Sequence, residues 1–128
     1  PQAVNVDGAF KAKGRTEAER NRVIAEAVAA DEAGCFAMVI EGVAEDLAAQ
    51  ITMQVSCPTV GIGASATCDG QILVTDDLLG MFDWTPRFVR RYADLRVQIA
   101  NAVDGYASDV RSRAFPGEKE TYTLKKQP

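Results

Sequence analysis

The sequence predicts an α/β fold built on parallel strands. Six apolar residues run unbroken through Cys35-Phe36-Ala37-Met38-Val39-Ile40 and end on Glu41, between a Gly34 stop and a Gly42-Val43 turn. An apolar run of that length reads as a strand covered on both faces, the parallel-sheet type. Helical and strand patterns then alternate through short connections, which calls for right-handed crossovers between parallel strands. The length, 128 residues, suits one modest domain with a core and is too short for two.

The elements follow in order. Residues 1–15 carry Gly8 and Gly14 without periodicity and read as a mobile loop. Thr16-Glu17-Ala18-Glu19 is a capping box: the Thr16 hydroxyl accepts from the Glu19 amide, and the Glu19 carboxylate returns to the Thr16 amide. A helix with Val23, Ile24, Ala27 and Val28 on one face runs to about Ala33, with Gly34 as its C-terminal cap. The strand ending at Glu41 comes next. A second helix over 44–54 turns Leu47, Ala48 and Ile51 inward. Thr59-Val60-Gly61-Ile62-Gly63 is a short buried strand, Asp69-Gly70 a turn, and Gln71-Ile72-Leu73-Val74 a third strand. A helical piece covers 77–80, and Thr85-Pro86 supplies an N-cap with proline at the first helical position. In the last helix Leu95, Ile99, Val103, Tyr106 and Val110 recur at near-helical spacing until Phe115-Pro116-Gly117 ends it. Only three strands are visible. The pattern fits either a small open sheet or part of something larger.

Composition narrows the chemistry. The formal net charge is −4 and the cations are scattered, so no nucleic-acid footprint is present. No apolar run approaches a membrane span, and a cytoplasmic location is expected. There is no histidine, which removes most zinc sites and every Ser-His or Cys-His pair. Acid–base work falls to carboxylates, Lys, Tyr or Cys. Cys35 reads as a small hydrophobe in its strand, while Cys57 and Cys68 lie in loops without CxxC spacing.

Glu41 is the candidate catalytic residue. A carboxylate at the last position of a buried parallel strand is costly to desolvate unless it is paired or functional. The carboxyl ends of such strands are where α/β folds build active sites. The alternative is a strand end that reaches solvent or pairs with a nearby cation. Gly61-Ile62-Gly63-Ala64-Ser65-Ala66 formally fits a dinucleotide fingerprint, but Thr67-Cys68-Asp69-Gly70 turns into another strand where a helix should open. The other reading is that the glycines let the strand end pass close to neighbouring side chains or a ligand. One of Asp76 and Asp77 is expected to cap a helix. Lys11, Lys13 and Arg15 are a solvated loop or an anion contact, and Phe82, Trp84 and Phe88 form a hydrophobic clasp.

Several segments together resemble the ketopantoate hydroxymethyltransferase family. They are Pro1-Gln2-Ala3-Val4-Asn5, Gly8-Ala9-Phe10-Lys11-Ala12-Lys13-Gly14-Arg15, Val39-Ile40-Glu41-Gly42-Val43 and Pro58-Thr59-Val60-Gly61-Ile62-Gly63-Ala64. Asp69-Gly70-Gln71-Ile72-Leu73-Val74 with Asp77, and the closing Phe115-Pro116-Gly117-Glu118, extend the likeness in order and spacing to about Glu118. The sequence departs from the family at Ser65, often glycine, at Ala44, often proline, and at Ala9-Phe10, in place of Gly-Tyr.

The resemblance implies a (β/α)8 TIM barrel of the phosphoenolpyruvate/pyruvate superfamily. Residues 1–117 would be its C-terminal half, carrying about strands six to eight with flanking helices, and 118–128 a polar, frayed tail. It implies transfer of a one-carbon unit from 5,10-methylenetetrahydrofolate to 3-methyl-2-oxobutanoate, giving ketopantoate for pantothenate and coenzyme A. Glu41 falls on the family's proton acceptor. The Mg²⁺ ligands and a substrate-binding lysine lie on earlier strands in the family, so no metal ligand is expected in this chain, which by itself would be inactive. Its partners would be a small keto acid and a folate, not nucleic acid or membrane. A homo-oligomer, or pairing with the missing N-terminal half across an open sheet edge, is expected. The contrasting reading is a non-catalytic half-barrel interaction module.

Overall fold

The computed structural model describes residues 12–122. The opening segment through Lys11 and residues 123–128, which hold most of the predicted loop and half of the polar tail, lie outside the described residues. Helix α1 spans Glu17–Glu32, strand β1 Met38–Glu41, helix α2 Glu45–Gln54 and strand β2 Thr59–Ile62. Strand β3 is Gly70–Gln71, followed by a short α3, Thr75–Leu78, and a long α4, Leu95–Ser112.

The three strands lie in the order β1-β2-β3, all parallel. Met38 is level with Thr59 and Glu41 with Ile62, so β1 and β2 share both ends. The β1–β2 crossover carries α2, which packs with α1 against one face of the sheet, while the β2–β3 connection carries no helix. A doubly wound sheet would carry helices on both.

Local chemistry explains the helix limits. Thr16 Oγ1 accepts from the Glu19 amide at 3.2 Å, the first half of the predicted capping box. The second half reaches further back: the Glu19 carboxylate accepts from the amides of Gly14 at 2.9 Å and Arg15 at 3.1 Å. Those bonds, the Arg15 amide foremost, hold the Glu19 carboxyl below its usual range. They also fix Gly14, whose φ of +88° excludes most side chains and where a methyl group would sit 2.5 Å from Leu47 Cδ2. Gly34, at φ +84°, closes α1. Arg20 ties α1 to α2 through Asp46 at 3.0 Å and Gln50 at 3.4 Å.

The core lies between this helical pair and the sheet. Ala27 from α1, Ile40 from β1, and Leu47, Ala48 and Ile51 from α2 are buried together with Ala64 and Cys68. Val23, Ile24, Met38, Val43 and Val55 pack around them. The other face of the sheet is open, which corrects the expectation of a strand covered on both faces. β1 alternates: Ile40 is buried, while Val39 is 58% exposed and Glu41 is exposed. α1 and α2 pack on the Ile40 side; on the other side Val39 is exposed, while Val60 and Ile62 are half-buried.

Further differences have local causes. β3 stops at Gln71 because β2 turns away at Gly63; one more bond, from the Ile72 amide to the Gly61 carbonyl at 2.9 Å, ends the pairing. Thr85-Pro86 starts a single turn, with the Val89 amide on the Pro86 carbonyl at 3.0 Å, and no helix. The amides of Tyr92, Leu95 and Arg96 instead donate to the carbonyls of Leu78, Leu79 and Gly80, satisfying the open end of α3. α4 then begins at Leu95 and ends at Arg113 in a left-handed conformation. Its predicted apolar seam is present but buries nothing among the described residues; Tyr106 meets Phe115 edge to face at 5.3 Å. Residues 118–120 form a turn closed by the Gly117 amide on Glu120 Oε2 at 2.9 Å.

Two carboxylates clamp the amino end of β2. Asp69 Oδ2 accepts from the Thr59 amide at 2.8 Å and from its hydroxyl at 2.9 Å. Asp31 accepts from the amides of Ser56 at 2.8 Å and Cys57 at 2.9 Å and from the Ser56 hydroxyl. The Ser56 amide is the main cause that lowers the Asp31 carboxyl from 3.8 to about 2. A carboxyl lowered in the folded state stabilises above its unfolded value and loses that contribution as pH falls through the folded one. Asp31 therefore contributes fully above pH 3.8 and ceases to contribute as the pH drops through about 2. Urea midpoints taken stepwise across that interval fall for the wild type. They fall less steeply for Asp31→Asn, which also starts lower at neutral pH; identical slopes would contradict the clamp.

Candidate active site

Glu41 stands at the carboxyl end of β1, level with Ile62 at the end of β2. It shares the open face of the sheet with Val39, Val60 and Ile62, because side chains alternate along a strand and register partners lie on the same side. Gly42 follows at φ +67°, and the chain then pairs with the opening segment. The Lys13 amide donates to the Gly42 carbonyl at 2.7 Å, and the Ala44 amide donates to the Lys13 carbonyl at 2.9 Å. Ala44 thus tolerates the lack of a proline: its amide has a partner that proline could not provide. Residues 12–14, read from sequence as part of a mobile loop, are bonded beside the candidate base. Lys13 Nζ lies 3.9 Å from Glu19, and Lys11 lies outside the described residues.

The loop after β2 is the second wall at this end. Gly63, at φ +59°, lies against Phe88; a methyl group there would be 2.5 Å from the Phe88 Cβ. A side chain at Gly61 would meet the Gln71 amide. Close passage to neighbouring side chains, the simpler of the two sequence readings, is what these glycines serve. No helix opens at residues 63–66, so the pyrophosphate-binding geometry of a dinucleotide fold is absent there. The Ser65 hydroxyl is buried and donates to Glu45 Oε1 at 2.9 Å, and the Thr67 amide donates back to it at 3.2 Å. Gln71 Nε2 donates to the Ser65 carbonyl at 2.7 Å. A serine in place of glycine therefore anchors this loop to the first turn of α2.

The Glu41 carboxylate is exposed and has no hydrogen-bond or ion-pair partner among the described residues. Its oxygens are free to accept a proton from a ligand on the open face. On the face that carries Glu41, Val39 is exposed as well, while Val60 and Ile62 are half-buried.

Other predicted residues do not join this site. Asp76 and Asp77 occupy the first turn of α3, where negative charge is favoured, but the cap is Val74 and no side chain caps the helix. Trp84 is 75% exposed, Phe82 and Phe88 are also exposed, and no clasp forms. A Mg²⁺ ion requires several oxygen ligands in octahedral arrangement. Among the described residues the sole group of three donors is Asp31, Cys35 and Cys57, at the other end of the sheet, and thiols suit softer metals. The described residues around Glu41 do not form a Mg²⁺ site.

Sequence reasoning missed one constellation. Cys35 lies ahead of β1 and is half-buried, not a strand residue, and its sulfur is 3.4 Å from that of buried Cys57. The available signal was positional: each cysteine directly precedes one of two neighbouring parallel strands.

The described strands are parallel and lie in sequential order, as neighbouring strands do in (β/α) barrels. The family model for ketopantoate hydroxymethyltransferase matches residues 1–118, and the chain belongs to that family. It is 72% identical over 127 residues to the 3-methyl-2-oxobutanoate hydroxymethyltransferase of Hyphomonas neptunium, covering 99% of this chain and 46% of the relative. The enzymes of that name from Maricaulis maris and Bartonella quintana are 64% and 54% identical, with 98% and 99% of this chain and 45% and 46% of theirs covered. The chain spans about half the length of the curated relatives it matches. No helix among the described residues is long and apolar enough to cross a membrane.

Proposed function

We propose that this chain is the C-terminal half of a 3-methyl-2-oxobutanoate hydroxymethyltransferase. Its three strands would be the sixth to eighth of a (β/α)8 barrel, with residues 118–128 as a tail. The observation that carries the reading is Glu41: a carboxylate without a partner among the described residues, at the carboxyl end of a parallel strand and on the sheet face opposite α1 and α2, in a member of this family. In a closed barrel that face is the interior, and the remaining strands would cover Val39 and draw Glu41 away from bulk water.

Glu41 would act as the base. A proton on C3 of the keto acid is weakly acidic through the adjacent ketone, and a carboxylate positioned over it removes it to leave an enolate. Water would release the one-carbon unit of 5,10-methylenetetrahydrofolate as a formaldehyde equivalent, breaking both C–N bonds to leave tetrahydrofolate; the C3 carbanion would add to its carbon, and the alkoxide so formed would take up a proton. Ser65, by anchoring the loop after β2 to Glu45, would hold one wall of the pocket in place. We place the Mg²⁺ ligands of the family outside this chain, and the protein in the cytoplasm as a homo-oligomer or paired with its other half.

The experiment is turnover. The full-length protein, given keto acid, methylenetetrahydrofolate and Mg²⁺, forms ketopantoate, while residues 1–128 alone form none. Robust product from the short chain would overturn the division of labour, and none from the long one would overturn the function.

A further inference from the structure

We propose that Cys35 and Cys57 form a dithiol that hydroperoxides close to an internal disulfide, a modification site at the end of the sheet opposite Glu41. Their sulfurs are 3.4 Å apart, although 22 positions separate them in sequence. The pairing of β1 with β2 brings them together: Met38 and Thr59 are register partners, and the Met38 amide donates to the Pro58 carbonyl at 2.8 Å. Asp31 then fixes one partner by accepting from the Ser56 and Cys57 amides. A disulfide requires the sulfurs to close from 3.4 Å to about 2.0 Å.

The two thiols are differentiated. Cys35 is half-buried and open to a small oxidant, whereas Cys57 is buried. Burial, then Cys35 and Asp31, push the Cys57 thiol up to about 12, so it holds its proton until its neighbour is oxidised. Cys35, reacting as its thiolate, attacks one peroxide oxygen; the S–O bond forms, the O–O bond breaks and hydroxide leaves. The Cys57 sulfur then attacks the Cys35 sulfur. The S–S bond forms, the S–O bond breaks, and the hydroxyl departs with the Cys57 proton as water. Two electrons pass from the dithiol to the peroxide.

The same residues and Asp31 form a three-donor group. A cation is the weaker occupant, because the Asp31 oxygens are already bonded to Ser56 and Cys57 at 2.8 to 3.1 Å. Cys68 is an internal control: it is buried elsewhere, with its sulfur against the Thr52 hydroxyl at 3.7 Å.

The test treats the intact full-length protein with hydrogen peroxide, blocks remaining thiols by alkylation and maps peptides without reduction. The expected product is one intramolecular Cys35–Cys57 cross-linked pair, with Cys68 alkylated. Cys68→Ser leaves that pair unchanged, and Cys57→Ser converts Cys35 to a sulfenic acid trapped by dimedone. Oxidised wild type melts at a higher temperature than reduced protein, because the bridge restricts the unfolded chain. Wild-type protein in which Cys35 oxidises while Cys57 stays alkylatable, or in which only intermolecular bridges form, overturns the proposal without recourse to variants. So does Zn²⁺ alone, if it binds at one equivalent, shields both thiols from peroxide and loses its site in Asp31→Asn.

Discussion

Glu41→Gln in the complete enzyme lowers turnover about 10²–10⁴-fold, the usual contribution of a positioned general base, and leaves the fold intact. The substitution preserves shape and removes only the capacity to take a proton. Gln keeps the shape of the Glu41 side chain, and no described residue pairs with that carboxylate, so no described group loses a partner. The keto acid still binds, so the loss appears in kcat more than in KM. A variant with unchanged turnover would favour the other reading, a half-barrel module in which Glu41 is a solvated strand end.

The largest effect on stability is expected at Leu47. Leu47→Ala lowers the unfolding free energy by about 2–5 kcal/mol, the range for truncating a buried leucine. Leu47 is 0% exposed and sits at the junction of α2, Gly14 and the core. Gly14 is held at φ +88° by Glu19 and cannot move inward to fill the space. The loss is a large fraction of a typical domain's 5–15 kcal/mol. Chemical denaturation measures it, read as a drop in midpoint at constant slope. Met53→Ala, at a side chain 79% exposed, is the control and changes little.

Much of the architecture was legible because local signals and tertiary contacts agreed. Thr16 caps α1, Gly34 ends it, and the Leu47, Ala48 and Ile51 stripe faces the core as its spacing required. Where they competed, tertiary bonding won. Pro86 carries a good helix-start signal, yet the amides of Tyr92, Leu95 and Arg96 are committed to the carbonyls that end α3, and the helix begins only at Leu95. The β1 run misled for another reason. An unbroken apolar stretch records how many faces are apolar, not which are covered by residues of the same chain. Val39 and Phe36, the latter 93% exposed, are apolar without cover here.

The site divides the same way. Glu41 could be proposed as the base from sequence because its residue type and its place at a strand end are both written there. The dithiol was not, since the approach of Cys35 to Cys57 exists only once β1 and β2 are in register. Ser65 read as a tolerable departure, and its bond to Glu45 became visible only when the loop after β2 was placed on α2.

Solvent deuterium exchange at C3 of 3-methyl-2-oxobutanoate, with Mg²⁺ and without folate, isolates proton removal from carbon transfer. The full-length wild type exchanges the C3 proton rapidly, while Glu41→Gln binds the keto acid and exchanges at the uncatalysed rate. Exchange by the variant at the wild-type rate would mean that another group takes the proton, and the role given to Glu41 would be wrong.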